Sequence, residues 1–390
     1  MKNVKVVIGA NYGDEGKGLM TSYFCREARK ANQSAVVVMS NGGAQRGHTV
    51  VAEDGRRHVF HHFGSGTFEH ADTFFCNSFI LNPILFRQEY EELDIKFKMD
   101  NVKICADSFC RISTPFDMIA NQIIEESRGD RRHGSCGLGI WETVLRYEKL
   151  DFDNRVGFFL YNIIFDMSES NIRECLTDIR DKYMIQRLKN EGIDEIPDTW
   201  KDIWYSDGLI TNYIEDLMFM CSKVEIKFRG HLINYDTIVI ENGQGLMLDE
   251  ENGDHSTPSP TGLDIPSWII RNFDDFCALN VEVCYVTRTY LTRHGAGPLQ
   301  GECDASEILE GIFDKTNVFN PWQGYIRYAK MDVEEVENRI LSDFTEHCVK
   351  GRSEWVKTVA VTHTNEFPIP DGLHYDYWSD SETYVGRRSE

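Results

Sequence analysis

Val4-Lys-Val-Val-Ile8 leads directly into Gly9-Ala-Asn-Tyr-Gly13-Asp14-Glu15-Gly16-Lys17-Gly18, and an amphipathic stretch runs on from Lys17 to about Ala31. A β-branched apolar run, a glycine turn and a helical pattern, in that order, predict a strand–loop–helix unit. Such a turn exposes backbone N–H groups, the helix N-terminus adds its positive dipole end, and Lys17 contributes a point charge. The unit therefore predicts a phosphate site. It is not a standard Walker loop, because Asn11 stands where that pattern has its first glycine and Gly18 where it has a hydroxyl. Asp14 is the informative departure. A carboxylate beside nucleotide phosphates is costly unless it binds Mg2+ or accepts a proton during the reaction.

Outward from that unit, further buried-strand runs fall at Ala35–Met39, Thr237–Ile240, Val281–Val286 and Thr358–Val361. Helical patterns at about 83–93, 115–127, 170–190, 264–278 and 333–349 lie between them. Near-continuous apolar strands alternating with helices predict an α/β fold, a mostly parallel central sheet with helices on both faces. The segment from about 151 to 232 is richer in charge and reads as a helical insertion. The 390 residues carry 41 Lys and Arg against 63 Asp and Glu, a formal charge of −22. That balance argues against nucleic acid as a partner, whose affinity comes from clustered basic side chains, and leaves room for a local basic pocket. The short run Asp130-Arg-Arg-His133 suits a small phosphate better than a nucleic-acid backbone. The 11 cysteines are scattered without a C-x-x-C pair, which speaks against zinc and for thiols of a reducing compartment. The most apolar stretch, residues 156–165, falls short of a membrane span, and the N-terminus has no signal-peptide pattern. A cytoplasmic chain with no membrane contact is expected.

A second cluster, Asn41-Gly-Gly-Ala-Gln45-Arg46-Gly47-His48-Thr49, follows the second strand, at the strand ends where open α/β sheets bind ligands. The two loops together resemble the adenylosuccinate synthetase family, whose pattern runs WGDEGKGK, then GG-x-NAGHT, then H-x-x-PSG. Here NYGDEGKGL, GGAQRGHT and His61-His-Phe-Gly-Ser65-Gly66 stand in that order. Gly134-Ser135-Cys136-Gly-Leu-Gly139, with Arg146 beyond it, resembles GTTGRGIG and its downstream arginine. Glu241-Asn-Gly-Gln244-Gly-Leu-Met-Leu-Asp249 resembles EGAQGTLLD, and Tyr290-Leu-Thr-Arg293-His-Gly-Ala-Gly-Pro298 resembles YTTRVGAGP. Ordered matches spread over most of the chain are jointly specific where no single short one is.

The resemblance implies a P-loop-related fold and one ligase domain over 1–390, with a shortened C-terminal region at 366–390. It also implies a two-step reaction. Asp14 would take the N1 proton of a 6-oxopurine nucleotide, so that O6 attacks the γ-phosphate of an NTP. The amino group of L-aspartate would then displace phosphate from C6. His48 would act as general acid at the transferring phosphoryl group, Gln244 would hold the base and Lys17 the phosphates, with Mg2+ between Asp14 and the Gly47 carbonyl. By the same correspondence Gly13, Glu15, Gly16, Gly18, Thr49 and Asn365 would contact the NTP. Gln45, Ser135, Cys136, Arg146 and Arg327 would contact the purine nucleoside monophosphate, and Thr316, Asn317 and Tyr325 the aspartate. In the family the counterpart of Arg146 reaches across a subunit interface, so a homodimer is implied. The joint presence of Asp14, Lys17, His48 and Gln244 argues for an active ligase over a catalytically silent nucleotide sensor.

The chain also departs from the family pattern. Tyr325 stands where an arginine grips the aspartate carboxylate, and a phenol cannot form that bidentate fork. Arg46 replaces the alanine ahead of Gly-His-Thr, which predicts a reshaped monophosphate pocket. Thr362-His-Thr-Asn365 stands in place of the guanine-reading TKLD. An amide pairs with adenine's amino group and ring nitrogen, so ATP is expected over GTP. Shortness and altered loops resemble bacteriophage members that act on dGMP, yet those typically carry serine at the position of Asp14. Asp14 therefore puts IMP first as acceptor, with GMP or dGMP, giving 2-aminoadenylosuccinate, as the alternative.

Overall fold

The computed structural model describes residues 2–148, 159–165, 167–248, 262–274, 278–308, 326–348 and 353–388. In chain order the strands of the central sheet are β1 Lys2–Gly9, β2 Ala35–Met39, β3 Asp72–Phe75, β4 Ile104–Ala106, β5 Glu225–Ile226, β6 Thr237–Gly245, β7 Leu279–Arg288, β8 Glu354–Thr362, β9 Tyr377–Trp378 and β10 Gly386–Arg387. Their spatial order is β10-β9-β8-β7-β1-β6-β2-β3-β4-β5. Every pairing is parallel except that of β9 with β10. The mostly parallel α/β sheet expected from the apolar runs is the one the chain forms.

The runs are apolar throughout because both faces of the sheet are covered. In β2, Val37 and Met39 join one core with Phe24, Phe86 and Ile119, which lie on helices α1 Lys17–Lys30, α2 Pro83–Phe97 and α3 Pro115–Arg128. Val36 and Val38 point the other way, into a core with Ile269 and Ile340 of helices Asp264–Asp274 and Val333–His347. The period-two alternation of a strand thus meets apolar partners on both sides. At the centre, Val4 and Val6 of β1 stand opposite Ile238 and Ile240 of β6 and Val281 and Val283 of β7.

α3 begins at a reciprocal cap. The Thr114 hydroxyl accepts from the Asp117 amide at 3.2 Å, the Asp117 carboxylate accepts from the Thr114 amide at 2.7 Å, and Pro115 opens the helix. Between β4 and β5 the described part of the predicted insertion is helical, and Trp204, Tyr213 and Leu217 from it join the same core as α2 and α3. At the other edge, the closing Tyr384-Val-Gly-Arg-Arg segment carries β10, and Tyr377 of β9 packs edge-on to Phe24 at 5.9 Å. Residues 366–388 therefore complete the sheet. Among the described residues no helix is long and apolar enough to cross a membrane.

The strand order positions the site. β6 inserts between β1 and β2, so the loops that follow β1, β2 and β6 lie side by side at the carboxyl ends of the strands, with those after β7 and β8 beyond.

Candidate active site

The first loop turns tightly because Gly13 and Gly16 take φ of +97° and +92°, left-handed values that glycine alone adopts without strain. Its interior is braced by Glu15. That carboxylate accepts hydrogen bonds from the amides of Asn11 at 3.0 Å and Gly13 at 2.8 Å. Lys17, fully buried, donates to the Gly13 carbonyl and lies 3.8 Å from Glu15. Burial pulls the Lys17 pKa down against the carboxylates around it, and pushes that of Glu15 up against the pull of Lys17. The carboxylate of Glu15, a residue expected at the nucleotide, thus braces the loop from inside.

Gly18 has no hydroxyl for a spatial reason. A Cβ there would lie 2.9 Å from the Thr49 carbonyl and 3.1 Å from the His48 Cβ, on the hairpin His48–Val51 and Arg57–Phe60. The departure from the Walker pattern is what lets His48 and Thr49 close on the loop. Gly245 does the same from β6: a Cβ there would meet the Asn11 carbonyl at 2.3 Å and the Gly13 amide at 2.5 Å. Gln244 is thereby set against the phosphate loop.

Asp14 is partly exposed and surrounded by cations. Arg288 donates to its carbonyl at 2.5 Å and stands 3.2 Å from Oδ2, with Thr292 Oγ1 at 3.4 Å and His294 Nε2 at 3.8 Å. Burial alone would raise its pKa, but Arg288, then His294, His363 and Lys17, outweigh it and hold the carboxyl below its ordinary value. Asp14 is therefore an ionised carboxylate near pH 7. The sequence reading missed Arg288, His294 and His363. A basic residue closing β7, next to β1, was the available signal for the first.

His48 is held by a second carboxylate, Glu241. Its Nδ1 is 2.6 Å from Glu241 Oε1, which also accepts from Ser65 Oγ at 2.5 Å. The other oxygen accepts from the Ser65 amide at 3.2 Å and faces Arg46 Nη2 at 3.6 Å. Burial pushes the His48 pKa down to about 4 despite Glu241, so the ring is neutral near pH 7. Burial works against the Glu241 charge too, yet Arg46 and His48 more than reverse it, to about 2. A neutral ring beside an ionised carboxylate donates Nδ1–H and presents Nε2. That Nε2, Gln244 Oε1 and both amide atoms of Gln45 are buried without a hydrogen-bond partner among the described residues. Native interiors rarely leave such atoms unsatisfied, and here they come from two adjoining segments, the loop after β2 and the end of β6, as a polar ligand site would require.

For a metal, the Asp14 carboxylate and the exposed Gly47 backbone offer hard oxygen donors. Mg2+ takes few protein oxygens and completes its shell with water and substrate phosphate, and hard oxygens of this kind are the donors it prefers. Among the described residues no cluster of three His, Cys, Asp or Glu forms a closed metal cage.

The remaining expected residues divide. The Ser135 hydroxyl lies 3.1 Å from Asn121 Nδ2, and burial pushes the neighbouring Cys136 thiol up to about 11. Their loop meets the one after β7, where the Ala296 amide donates to the His133 carbonyl at 3.2 Å. Arg327 joins the same wall, donating to the Gly297 carbonyl at 2.8 Å and to Glu302 at 2.9 Å. Arg146 is a correction. It is buried, with Nε and Nη2 on the two Asp117 oxygens at 3.0 and 2.8 Å and Nη2 on the Ile112 carbonyl at 2.8 Å. That guanidinium ties helix α4, Ile140–Glu148, to α3 within one subunit and presents no fork to a second. Asn365 is exposed, just past β8, beside His363 with φ of +59°. Thr316, Asn317, Tyr325 and Asp249 lie outside the described residues.

A glycine loop at a helix N-terminus, an ionised carboxylate and a carboxylate-held histidine, all at the carboxyl ends of one parallel sheet, have the form of a nucleotide-dependent α/β enzyme. Residues 6–322 match the family model described as adenylosuccinate synthetase. The adenylosuccinate synthetase of Alkaliphilus metalliredigens is 28% identical over 329 residues, 82% of this chain and 70% of that protein. The Synechocystis enzyme is 26% identical over 327 residues, 82% and 67% respectively. The chain belongs to the adenylosuccinate synthetase family, the carbon–nitrogen ligases of purine biosynthesis. Solved structures share its fold. The fully ligated Plasmodium falciparum adenylosuccinate synthetase superposes with a TM-score of 0.65 at 18% identity, covering 93% of this chain and 77% of that one. Cyanophage S-2L succinoaminodeoxyadenylate synthetase, solved with dGMP and with dATP as an energy donor, gives 0.65 at 15% identity, covering 99% and 95%.

Proposed function

We propose that the protein joins L-aspartate to C6 of a purine nucleoside monophosphate in a reaction driven by an NTP, with IMP as acceptor and ATP preferred to GTP. The observation that carries this reading is Asp14, a carboxylate inside the phosphate loop held ionised by Arg288 beside Lys17. A base in that position accepts the N1 proton as O6 turns nucleophile. Lys17 and the N-terminus of α1 steady the phosphates. Gln244, on the neighbouring loop, holds the O6-anionic base. His48 Nε2 faces the transferring phosphoryl group, whose negative charge favours the protonated ring, and the ring then acts as acid. Mg2+, held by Asp14 and the Gly47 carbonyl, would supply charge neutralisation of the phosphates. Gln45, Ser135, Cys136 and Arg327 are proposed for the monophosphate, Asn365 for the adenine of ATP, and Thr316, Asn317 and Tyr325 for aspartate. The working form is proposed to be a cytoplasmic homodimer.

A second reading, the same chemistry on GMP or dGMP, is supported by the end-to-end correspondence with the cyanophage enzyme. The test is incubation with aspartate, ATP or GTP, and each of IMP, GMP and dGMP, with the succinylated nucleotide followed by mass. Faster turnover of IMP with ATP bears out the first reading, and product from dGMP alone bears out the second. If no acceptor yields product, and wild type and Asp14→Ala release phosphate equally, the ligase reading fails.

A further inference from the structure

Arg46 stands where the family pattern has alanine, and its side chain lies beneath the loop. It is 2% exposed, its guanidinium 5.7 Å from the centre of the Phe79 ring and its Nη1 3.7 Å from the Met39 sulfur. Its stem fills the space over Gly243, where a Cβ would meet Arg46 Cδ at 3.1 Å. Nε and Nη2, the edge with which a guanidinium forks a carboxylate, make no hydrogen bond among the described residues. Nη2 lies 3.6 Å from Glu241 Oε2, while the other Glu241 oxygen holds His48.

A fully buried carboxylate supported by neutral donors alone relieves its charge by taking a proton. Protonated, Glu241 would become a donor, His48 Nδ1 would have to accept, and the ring would carry its hydrogen on Nε2. A buried cation beside the carboxylate prevents this and keeps Glu241 an acceptor. We propose that Arg46 is a positioning residue that acts through Glu241 to fix His48 in the Nδ1–H tautomer, with Nε2 turned to the transferring phosphate. The kinetic consequence rests on the ligase reading above; the tautomer does not. Arg46 is accordingly no contact for the monophosphate, which corrects the pocket role expected for it.

Two measurements test this on the full-length protein. Nitrogen-15 spectra of the histidine rings, with His48 assigned through His48→Gln, should show the Nδ1–H form in wild type and a shift toward the other tautomer in Arg46→Met, which keeps the volume. An unchanged His48 signal in Arg46→Met overturns the proposal, whatever reaction the protein performs. In steady state, Arg46→Met should lower kcat about ten-fold or more with the monophosphate KM within about two-fold, and Arg46→Lys should restore most of it. Glu241→Gln should act in the same direction and combine non-additively with Arg46→Met. A raised monophosphate KM at unchanged kcat would make Arg46 a phosphate contact and sink the proposal.

Discussion

A base that works beside phosphates must stay ionised without being neutralised by its neighbours. In the role proposed for it, Asp14 would meet this with Arg288 on one oxygen at 3.2 Å and partial exposure of the carboxylate. Asp14→Asn should lower kcat by about 10²–10⁴-fold, the usual worth of a positioned base. A variant within about ten-fold of wild type would place the base elsewhere. His48 makes a pH prediction. Its pKa, pushed from 6.5 down to about 4 by burial, lies below that of the unfolded chain. Between those values the unfolded chain binds a proton that the folded one refuses, so stability falls as pH drops through that window. His48→Gln removes that share, and its melting temperature should fall less steeply from pH 6.5 to 4 than that of wild type. Asp14, Lys17 and His48 were legible in the sequence because each sits in a short motif. Arg288 and Glu241 arrive from strands more than 190 residues away, and their pairing with Asp14 and His48 exists only in the folded sheet.

At the scale of elements, the site depends on close approach of backbones. At Gly245 the atoms that a Cβ would strike are backbone, at 2.3 and 2.5 Å, and cannot swing aside as a side chain would. Gly245→Ala should displace the phosphate loop, weakening nucleotide binding at least about ten-fold by calorimetry while leaving the far edge of the sheet intact. The Asp117–Arg146 pair belongs to a different task. Removing one partner strands a buried charge, so Asp117→Ala should destabilise the fold by about 3–5 kcal/mol in urea unfolding. A loss under about 1 kcal/mol would mean that Arg146 reaches solvent or another subunit. The strand ends and α1 could be read from apolar runs and glycines. That the arginine after Gly139 serves α3 and not a neighbouring subunit could not, because spacing says nothing about which carboxylate a long side chain will find.

Over the whole molecule a charge of −22 accompanies a site proposed for anions. Capture should therefore rest on contacts within the pocket, since the field of the protein repels its own ligands. The value of kcat/KM for the monophosphate should hold or rise as ionic strength goes from about 50 to 200 mM, whereas steered association would make it fall steeply. The sequence by itself determined the class of fold and the family, and singled out the glycine loop with Asp14, Lys17, His48 and Gln244 as the proposed site, because period, glycine placement and short motifs are local properties of the chain. The tertiary structure alone decided the partners of Glu15, Arg46, Arg146 and Glu241. These are charged side chains in the interior, and what a buried charge does is set by the partner that the fold brings within hydrogen-bond or ion-pair reach.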